Sequence, residues 1–445
     1  MRIALIALSG VRVRTAELAA LGVTLPGFVR RGKVIASLPS LGLLTVAGLT
    51  PEQHEVELFE VDDGPWPAID PASYDVIGLS SFTARIEDAY ALADDLRRRG
   101  GTVVIGGLHA SLLPGEALEH ADAVLVGGAE SAWPRLLEDV ERGRLERLYV
   151  GQRDRVFEPG VYARPRFDLL RGRAYNRVTV QTSRGCPRNC DFCAASLRIT
   201  RKFQQKPVEL VIEEIREARG YVDEPFFEFA DDNTFLDRAW SKDLLRALPR
   251  EEIRYFTETD ASVADDPELC DLLARSGCRQ VLIGFESPWG DDLTGVDPAD
   301  WKRRRVPRML SCIDTLQSRG ISVNGCFILG LDGQTPEVFP RLLEFVRKSG
   351  LAEVQYTVLT PFPGTPLHAR LRREGRLLAE RYWDRCTLFD VCYRPRGMTV
   401  EELESGMRWL FEATYSKSET WQRQRSFAMQ SAAARAAIKA LPRAS

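Results

Sequence analysis

The chain has 445 residues, 44% hydrophobic and 28% charged, which is enough to bury a core in more than one domain. Its 60 Lys and Arg against 63 Asp and Glu give a net charge of -3, which argues against bulk attraction to nucleic acid or to an anionic membrane. No apolar run approaches the roughly 20 residues that span a bilayer. Nine cysteines without a secretion signal indicate thiols and metal ligands in a cytoplasmic protein, not a disulfide framework.

Residues 1–145 alternate short β-rich runs with helical patterns. The expected strands are Arg2–Ala7, Glu55–Val61, Asp75–Ser80, Thr102–Gly106 and Asp122–Gly127. Between the third and fourth of these, apolar residues recur at the spacing of one helix face: Ile86, Ala89, Tyr90, Ala93 and Leu96. This alternation predicts a Rossmann-like, doubly wound parallel sheet. Residues 146–175, which Pro159, Gly160 and Pro165 interrupt, are expected to be a linker.

A second series of strand and helix patterns covers residues 176–370. Six strands are expected, at Arg177–Thr182, Phe226–Asp231, Arg254–Thr259, Gln280–Glu286, Ile321–Leu329 and Glu353–Leu359. One intervening helix is predicted to end at Gly220 and another, with a stripe of Val306, Met309, Leu310 and Ile313, at Gly320; a third is predicted to begin at Thr335-Pro336. Six such units predict a partial (β/α)6 TIM-type barrel with its chemistry at the carboxyl ends of the strands. Residues 371–445 are expected to form a helical C-terminal region.

Three cysteines follow the first strand of this second series. Cys186, Cys190 and Cys193 have the spacing Cys-x3-Cys-x2-Cys. Thiolates are the usual ligands of iron–sulfur clusters, and three of them in one short loop can bind a [4Fe–4S] cubane and leave its fourth iron free. A zinc site would need a fourth Cys or His nearby, and His109 and His120 are distant in sequence.

With Phe192 before the third cysteine, the motif resembles the signature of the radical SAM superfamily. The resemblance implies that the free iron chelates S-adenosylmethionine, with Phe192 near the adenine. It also implies that an external one-electron reductant, such as flavodoxin or ferredoxin, drives cleavage of S-adenosylmethionine to methionine and a 5′-deoxyadenosyl radical.

The same resemblance suggests cofactor contacts at later strand ends. Asp231 is a candidate for the amino group or the ribose of S-adenosylmethionine, although Asp232 or Asn233 beside it could instead cap a helix. Glu286, followed by Ser287, is a candidate for the ribose; the alternative is a structural ion pair with a neighbouring arginine.

Other conspicuous residues have plainer expected roles. The basic run from Lys302 to Arg305 is expected to be a solvated helix face. The remaining cysteines are expected to be buried core thiols: Cys270, Cys278, Cys312, Cys326, Cys386 and Cys392.

The first zone resembles the cobalamin-binding domains that are fused to radical SAM enzymes. Three strand-end loops carry the resemblance, with candidate contacts at Ser81, Thr83, Gly106, Gly107, His109, Gly127, Gly128 and Glu130. In a doubly wound sheet ligands lie at these ends, where glycines leave room for a large flat ring. The segment Leu38–Leu44 also matches that group. No Asp-x-His-x-x-Gly occurs, and the third loop reads Gly-Gly-Ala-Glu instead of Gly-Glu-Gly-Glu, so a domain that only packs on the barrel is the alternative.

These resemblances imply a cobalamin-dependent radical SAM enzyme that methylates an unactivated carbon of a small-molecule or lipid-precursor substrate. One alternative is a radical SAM cyclase, ring-rearranging or oxidative enzyme, with or without cobalamin. Another is a non-catalytic cobalamin or iron–sulfur sensor, for which the sequence offers no recognisable output module.

Overall fold

Two parallel six-stranded sheets form the framework of the computed structural model. The structure describes residues 1–8, 10, 13–20, 38–61, 66–154, 156–173, 175, 177–194, 200 and 202–439. No helix among these residues is both long enough and apolar enough to cross a bilayer.

The first sheet has the order β2-β1-β3-β4-β5-β6, with every neighbouring pair parallel. Its strands are β1 Arg2–Leu8, β2 Glu55–Val61, β3 Val76–Ser81, β4 Val103–Gly106, β5 Ala123–Val126 and β6 Leu148–Val150. Its helices are α1 Ala16–Ala20, α2 Leu41–Gly48, α3 Ile86–Arg98, α4 Leu108–Leu112, α5 Pro114–His120 and α6 Ala129–Glu141. The chain order reverses between β1 and β3, which is where ligands bind in open sheets of this type.

Strand β6 lies inside the segment that was expected to be a linker. It pairs with β5 in parallel register, and its Tyr149 is fully buried with its hydroxyl donating to Asp139. The sequence signal was weak because Leu148 and Val150 are exposed on this edge strand.

The second sheet has the order β14-β13-β12-β11-β10-β7 and is also parallel throughout. Its strands are β7 Val178–Val180, β10 Phe226–Phe229, β11 Arg254–Thr259, β12 Cys278–Glu286, β13 Ser322–Leu329 and β14 Glu353–Val358; β8 Ser183–Arg184 and β9 Gln204–Gln205 form a separate antiparallel pair. The helices are α7 Val208–Arg219, α8 Arg238–Ala247, α9 Pro267–Arg275, α10 Trp301–Arg305, α11 Met309–Gln317 and α12 Val338–Ser349. The six strands were all predicted, and they confirm the partial barrel.

Some helix boundaries differ from the predicted ones. Helix α12 begins at Val338, two residues beyond the proline of Thr335-Pro336, after Glu337 as N-cap. Helix α8 is capped by the Asp237 side chain, so neither Asp232 nor Asn233 caps it. Leu310 is exposed and does not belong to the buried stripe of α11.

The C-terminal region is less helical than expected in its first part. After α13 Pro366–Arg373 the chain is mostly irregular until α14 Val400–Thr414 and α15 Lys417–Lys439. Tyr382 and Trp383 of the irregular part join the apolar core on the α3 side of the first sheet. The C-terminal region therefore packs against the N-terminal domain as well as the barrel.

Candidate active site

The loop after β7 carries the cysteines of the predicted cluster site. Cys190 is buried, whereas Cys186 and Cys193 are half-buried. The Asp191 N–H donates to the Val296 carbonyl at 2.8 Å, which holds the middle of the loop against the segment after β12. One short loop therefore presents all three thiols, and their role as cluster ligands remains a prediction.

Carboxylates from the neighbouring strands hold this loop at its base. Asp231 accepts hydrogen bonds from the backbone N–H groups of Thr182 at 2.7 Å and Ser183 at 2.8 Å, and from the hydroxyls of Thr182 and Thr234. Burial raises the pKa of the Asp231 carboxyl, and these donors oppose the rise. Because protein groups already satisfy both oxygens of Asp231, the structure gives it a positioning role; its predicted contact with the cofactor remains untested.

Two further carboxylates act on the loop beyond Asp231. Asp232 accepts from the Gly185 N–H at 2.9 Å, and Asp260 pairs with the Arg188 guanidinium at 2.9 Å. Gly185 has φ 91°, and a Cβ there would lie 3.0 Å from the Thr200 hydroxyl, so only glycine suits this approach to the first cysteine.

Glu286 ends β12 with a left-handed backbone, φ 63°, and its carboxylate lies 2.6 Å from the Lys302 ammonium. Lys302 also donates to the Gly284 carbonyl at 3.0 Å. Burial alone would lower the pKa of Lys302, but the charges of Glu286 and Cys190 raise it above its usual value. The prediction of a solvated basic run is therefore wrong for Lys302, and the ion-pair partner of Glu286 is a lysine and not an arginine. Arg303 and Arg304 are exposed as expected.

Two other residues were predicted to lie near S-adenosylmethionine: Ser287, which follows Glu286, and Phe192, which is on the cluster loop. Ser287 is buried, and its hydroxyl donates to Asp292 at 2.7 Å, so it is already engaged by protein. Phe192 is half-buried and packs against the main core. Burial raises the pKa of the Cys190 thiol to about 12, and the Lys302 cation opposes the rise. A thiol that binds iron must lose its proton, so binding would have to overcome this burial.

The arrangement of the thiols bears on the kind of metal group they suit. Among the described residues, no three His, Cys, Asp or Glu side chains converge as a mononuclear site requires. In a cubane each thiolate binds its own iron, so the ligands stand apart around the cluster. Three thiols on one loop are a donor set that suits a [4Fe–4S] cluster, whereas a structural zinc site takes four ligands.

A cavity of about 330 Å³ lies at the carboxyl edge of the first sheet, beside the reversal between β1 and β3. Its walls come from both domains: Leu5, Leu41, Gly42, Leu43, Thr45, Val46, Gly78, Leu79, Ser80, Val104, Gly106, Gly107, Leu125, Gly127, Gly128, Ala129, Glu130, Trp133, Gln181, Arg184 and Ala230. Five predicted contacts line it: Gly106, Gly107, Gly127, Gly128 and Glu130. Helix α2 lines the cavity as well, and its first residues belong to the Leu38–Leu44 segment that carried the resemblance.

The floor of this cavity suits a broad ring. A Cβ at Gly42 would meet no atom within 4 Å, and one at Gly106 would first meet Leu125 at 3.7 Å, so glycine keeps open space that side chains would fill. Most of the remaining wall is apolar, and no histidine is among its described lining residues. These walls fit a corrin bound without the cobalt-ligating histidine that the sequence lacks.

The structure does not bring Ser81, Thr83 and His109 to this cavity. The Ser81 hydroxyl donates to the Phe82 carbonyl. The His109 ring lies 3.3 Å from the Thr83 hydroxyl and 3.2 Å from the Glu116 carboxylate, edge-on to Trp383. His109, with Thr83 as its partner, serves instead the contact between the N-terminal domain and the C-terminal region.

An ion pair that the sequence did not reveal joins the cavity to the cluster loop. Arg184 precedes that loop, and its guanidinium donates to Glu130 at 2.8 Å and to Gln181 at 2.9 Å. Glu130 and Arg184 are 54 residues apart. Only the packing of the two domains places them together, so no local pattern could have indicated the pair.

This combination, a parallel partial barrel with a three-cysteine loop and a doubly wound domain with a glycine-floored cavity, defines a radical SAM enzyme with a cobalamin-binding domain. Residues 180–346 match the radical SAM superfamily, residues 29–137 match the B12 binding domain, and residues 365–443 match a domain of unknown function, DUF4070. The chain belongs to the cobalamin-dependent radical SAM methyltransferases.

Several relatives support this membership. The chain is 30% identical to bacteriochlorophyllide d C-8(2)-methyltransferase of Chlorobaculum tepidum, over 77% of each chain. It is 26% identical to bacteriochlorophyllide d C-12(1)-methyltransferase of the same organism, over 82% of this chain and 80% of that one. Hopanoid C-2 methylase of Rhodopseudomonas palustris is 27% identical, over 78% and 66%.

Solved structures agree on the fold. The methyltransferase TsrM from Kitasatospora setae, with cobalamin and a [4Fe–4S] cluster bound, superposes with a TM-score of 0.63 at 18% identity, covering 85% of this chain and 76% of that one. The cobalamin-dependent enzyme OxsB superposes at 0.68 and 15% identity, over 91% and 65%. The protein is thus an enzyme that uses a [4Fe–4S] cluster, S-adenosylmethionine and cobalamin.

Proposed function

We propose that this enzyme methylates an unactivated carbon of a small-molecule or lipid-precursor substrate held between the barrel mouth and the cavity of the first domain. The observation that carries the proposal is the shared wall of the two sites. Arg184, two residues before Cys186, and Ala230, next to Asp231, both line the cavity. A substrate at this boundary would lie within reach of both cofactors, as a transfer between them requires.

In this proposal each cofactor has its own set of residues. Cys186, Cys190 and Cys193 bind the cluster, Glu286 and Phe192 contact S-adenosylmethionine, and the glycines of the first domain hold cobalamin. When bound, the cluster and S-adenosylmethionine would supply the 5′-deoxyadenosyl radical that removes a hydrogen atom from the substrate, and methylated cobalamin would supply the methyl group.

The protein's own groups orient these parts. The carboxylates of Asp231 and Asp232 fix the base of the cluster loop through backbone N–H groups. The pair of Glu130 and Arg184 holds the cavity against that loop. Rigid placement of this kind is how a protein lowers the entropic part of a transfer barrier.

We also infer the boundaries 1–145, 146–175, 176–370 and 371–445 for the functional units, with β6 structurally part of the first. We infer an external one-electron donor such as flavodoxin or ferredoxin, since the proposed cleavage consumes an electron that must reach the cluster. Among the described residues no disulfide joins the nine cysteines, which is consistent with work in the reducing cytoplasm.

Anaerobic reconstitution with iron and sulfide tests the cluster assignment. The wild-type protein should bind a full cluster and cleave S-adenosylmethionine to 5′-deoxyadenosine, and the Cys186→Ala, Cys190→Ala and Cys193→Ala variants should lose both properties. Cys270→Ala, which removes a fully buried thiol of α9 away from the loop, should keep both. Cleavage that survives the triple replacement would refute the assignment.

A further inference from the structure

The interior of the barrel contains a row of polar side chains. Four aromatic side chains of the sheet point away from the barrel interior: Phe229, Tyr255, Phe327 and Tyr356. Phe327 packs on Phe345 of α12, Tyr356 packs on Phe411 of α14, and Phe229 stacks on Tyr255. Successive side chains of a strand point to opposite faces. The residues that alternate with these aromatic rings therefore face inward: Glu228, Glu258, Asn324, Cys326 and Gln355. Cys326 is accordingly half-buried, contrary to the expectation of a core thiol.

Two acidic side chains of this interior are already neutralised. Glu228 lies 2.5 Å from Arg177, and Glu286 lies 2.6 Å from Lys302. Glu258 differs, because its side chain has no hydrogen bond or ion pair among the described residues. It is accessible to solvent and yet enclosed by protein, as befits a group that points into an open barrel.

Neutral side chains on other strands of the same sheet also have polar atoms without partners. Within the described residues, the Oδ1 atom of Asn324, the Oε1 atom of Gln355 and the Oγ1 atom of Thr179 are buried and make no hydrogen bond. These residues are only 1%, 5% and 4% exposed. Buried polar groups are rarely left unpaired, so several of them on the inward face of one sheet favour a ligand in the barrel.

The electrostatic surroundings of Glu258 favour a hydrogen-bond donor in that space. Burial, together with the charges of Glu228, Asp232 and Asp231, raises the pKa of the Glu258 carboxyl to about 8, and Arg177 opposes the rise only in part. A perturbed carboxyl in a concave site is a typical feature of functional groups. A donor, above all a cationic one, would offset this negative field.

We propose that Glu258 is a specificity-determining residue, whose carboxyl group accepts a hydrogen bond from an N–H or O–H group of the substrate. The barrel then selects a polar, donor-bearing molecule over a bare hydrocarbon. This inference rests on the proposed function, because Glu258 is the last residue but one of β11 and so lies near the barrel mouth where the substrate is placed. Cys326, Asn324 and Gln355 lie on the same inward face of the sheet by strand alternation and make that face polar.

Matched probes test the inference without the natural substrate. Cluster-loaded protein with S-adenosylhomocysteine bound is titrated at about pH 9, where the Glu258 carboxyl is ionised and an alkylammonium is still charged. The probes are cyclohexylmethylammonium, cyclohexylmethanol and cyclohexylmethyl methyl ether, and binding is followed by ligand-observed NMR. The ammonium probe should bind about tenfold or more tightly than the ether, with the alcohol between them, since bonds to a charged acceptor are the strong ones. Glu258→Gln should remove most of the ammonium preference. Asp243→Asn, at an exposed site on α8, should leave it intact.

Other outcomes would overturn the inference. If the three probes bind equally or not at all, or if Glu258→Gln leaves the ammonium preference intact, Glu258 does not choose a donor. If Glu258→Gln instead weakens S-adenosylmethionine binding, Glu258 belongs to the cofactor site. Cluster content and 5′-deoxyadenosine formation, measured on the same samples, separate these results from a failure of the proposed function, which would abolish cleavage in the wild-type protein.

Discussion

Single residues near the cluster loop show how burial changes the meaning of a charge. Lys302 stands first in a run of basic residues, yet its side chain is 11% exposed and that of Glu286 is 8% exposed. Two charges taken out of water in this way depend on each other, because either one alone would keep its desolvation cost without the compensating attraction.

Replacing Lys302 with methionine should therefore be severe. Lys302→Met leaves the Glu286 carboxylate buried without its cation, so we expect the free energy of unfolding to fall by about 3–5 kcal/mol. Chemical denaturation of the variant and the wild-type protein measures this change. Adding Glu286→Gln to Lys302→Met should recover part of the loss, since it removes the uncompensated charge.

A surface lysine provides the matched control for that experiment. Lys348 pairs with Glu344 on α12, but both side chains are mostly exposed. Lys348→Met should leave stability unchanged within error, because solvent screens such pairs. An equal loss in both lysine variants would mean that the buried pair has no special role.

At the scale of elements, the cluster loop is held by the strands beside it and not by its own conformation. Asp231 and Asp232 follow β10, and Asp260 follows β11; their carboxylates reach the loop at Thr182, Gly185 and Arg188. Parallel strands bring their carboxyl ends to one edge, so residues far apart in sequence converge on the loop.

Asp231→Ala should loosen the loop and expose the cluster. The variant leaves two buried backbone N–H groups without acceptors, at a cost of about 1–3 kcal/mol each. We expect a chelator to remove iron from the reconstituted variant several times faster than from the wild-type protein. The rate of chelator-bound iron formation, followed by absorbance under anaerobic conditions, measures the effect.

Asp237→Ala is the companion variant for that measurement. It removes the N-cap of α8, where the Asp237 carboxylate accepts from the Trp240 N–H, and should cost about 1 kcal/mol. Its rate of iron loss should equal that of the wild-type protein. A rise in both variants would trace the effect to general destabilisation and not to the loop.

At the scale of the whole molecule, the C-terminal region ties the two domains together. The Trp383 indole N–H donates to Glu116 of α5, and Asp390 accepts from the backbone N–H groups of Arg14 and Thr15. Burial by itself would raise the pKa of Glu116, but hydrogen bonds from His109 and Trp383 lower it to about 2. On the barrel side, the Arg376 guanidinium donates to the Asp332 carboxylate at 2.7 Å.

The cavity between the domains should be closed by one large side chain. Gly42→Phe, on α2, places a ring in the space above the glycine floor, so we expect cobalamin binding to be lost while the cluster forms normally. The absorption spectrum of the purified protein after incubation with cobalamin, together with iron and sulfide content, measures both. Gly115→Phe, at an equally open position of α5 that does not line the cavity, should bind cobalamin as the wild-type protein does. Cobalamin retained by Gly42→Phe would place its site elsewhere.

The sequence by itself determined the two parallel sheets, the position of the cysteine loop and the glycine-rich strand ends. These features depend on local patterns: apolar runs that form buried strands, helix faces with apolar residues every three or four positions, and thiols spaced to wrap one cluster. The predicted contacts Gly106, Gly107, Gly127, Gly128 and Glu130 reached the cavity for the same reason, since each follows a strand whose end is fixed by the sheet.

Only the tertiary structure decided which side chains meet. It turned His109 away from the cavity, buried Lys302 against Glu286, added β6 to the first sheet and left Glu258 without a partner inside the barrel. Each of these outcomes depends on contacts between residues far apart in the chain. The free energy of a charged or polar group is set by what surrounds it after folding, and that environment has no local signature in the sequence.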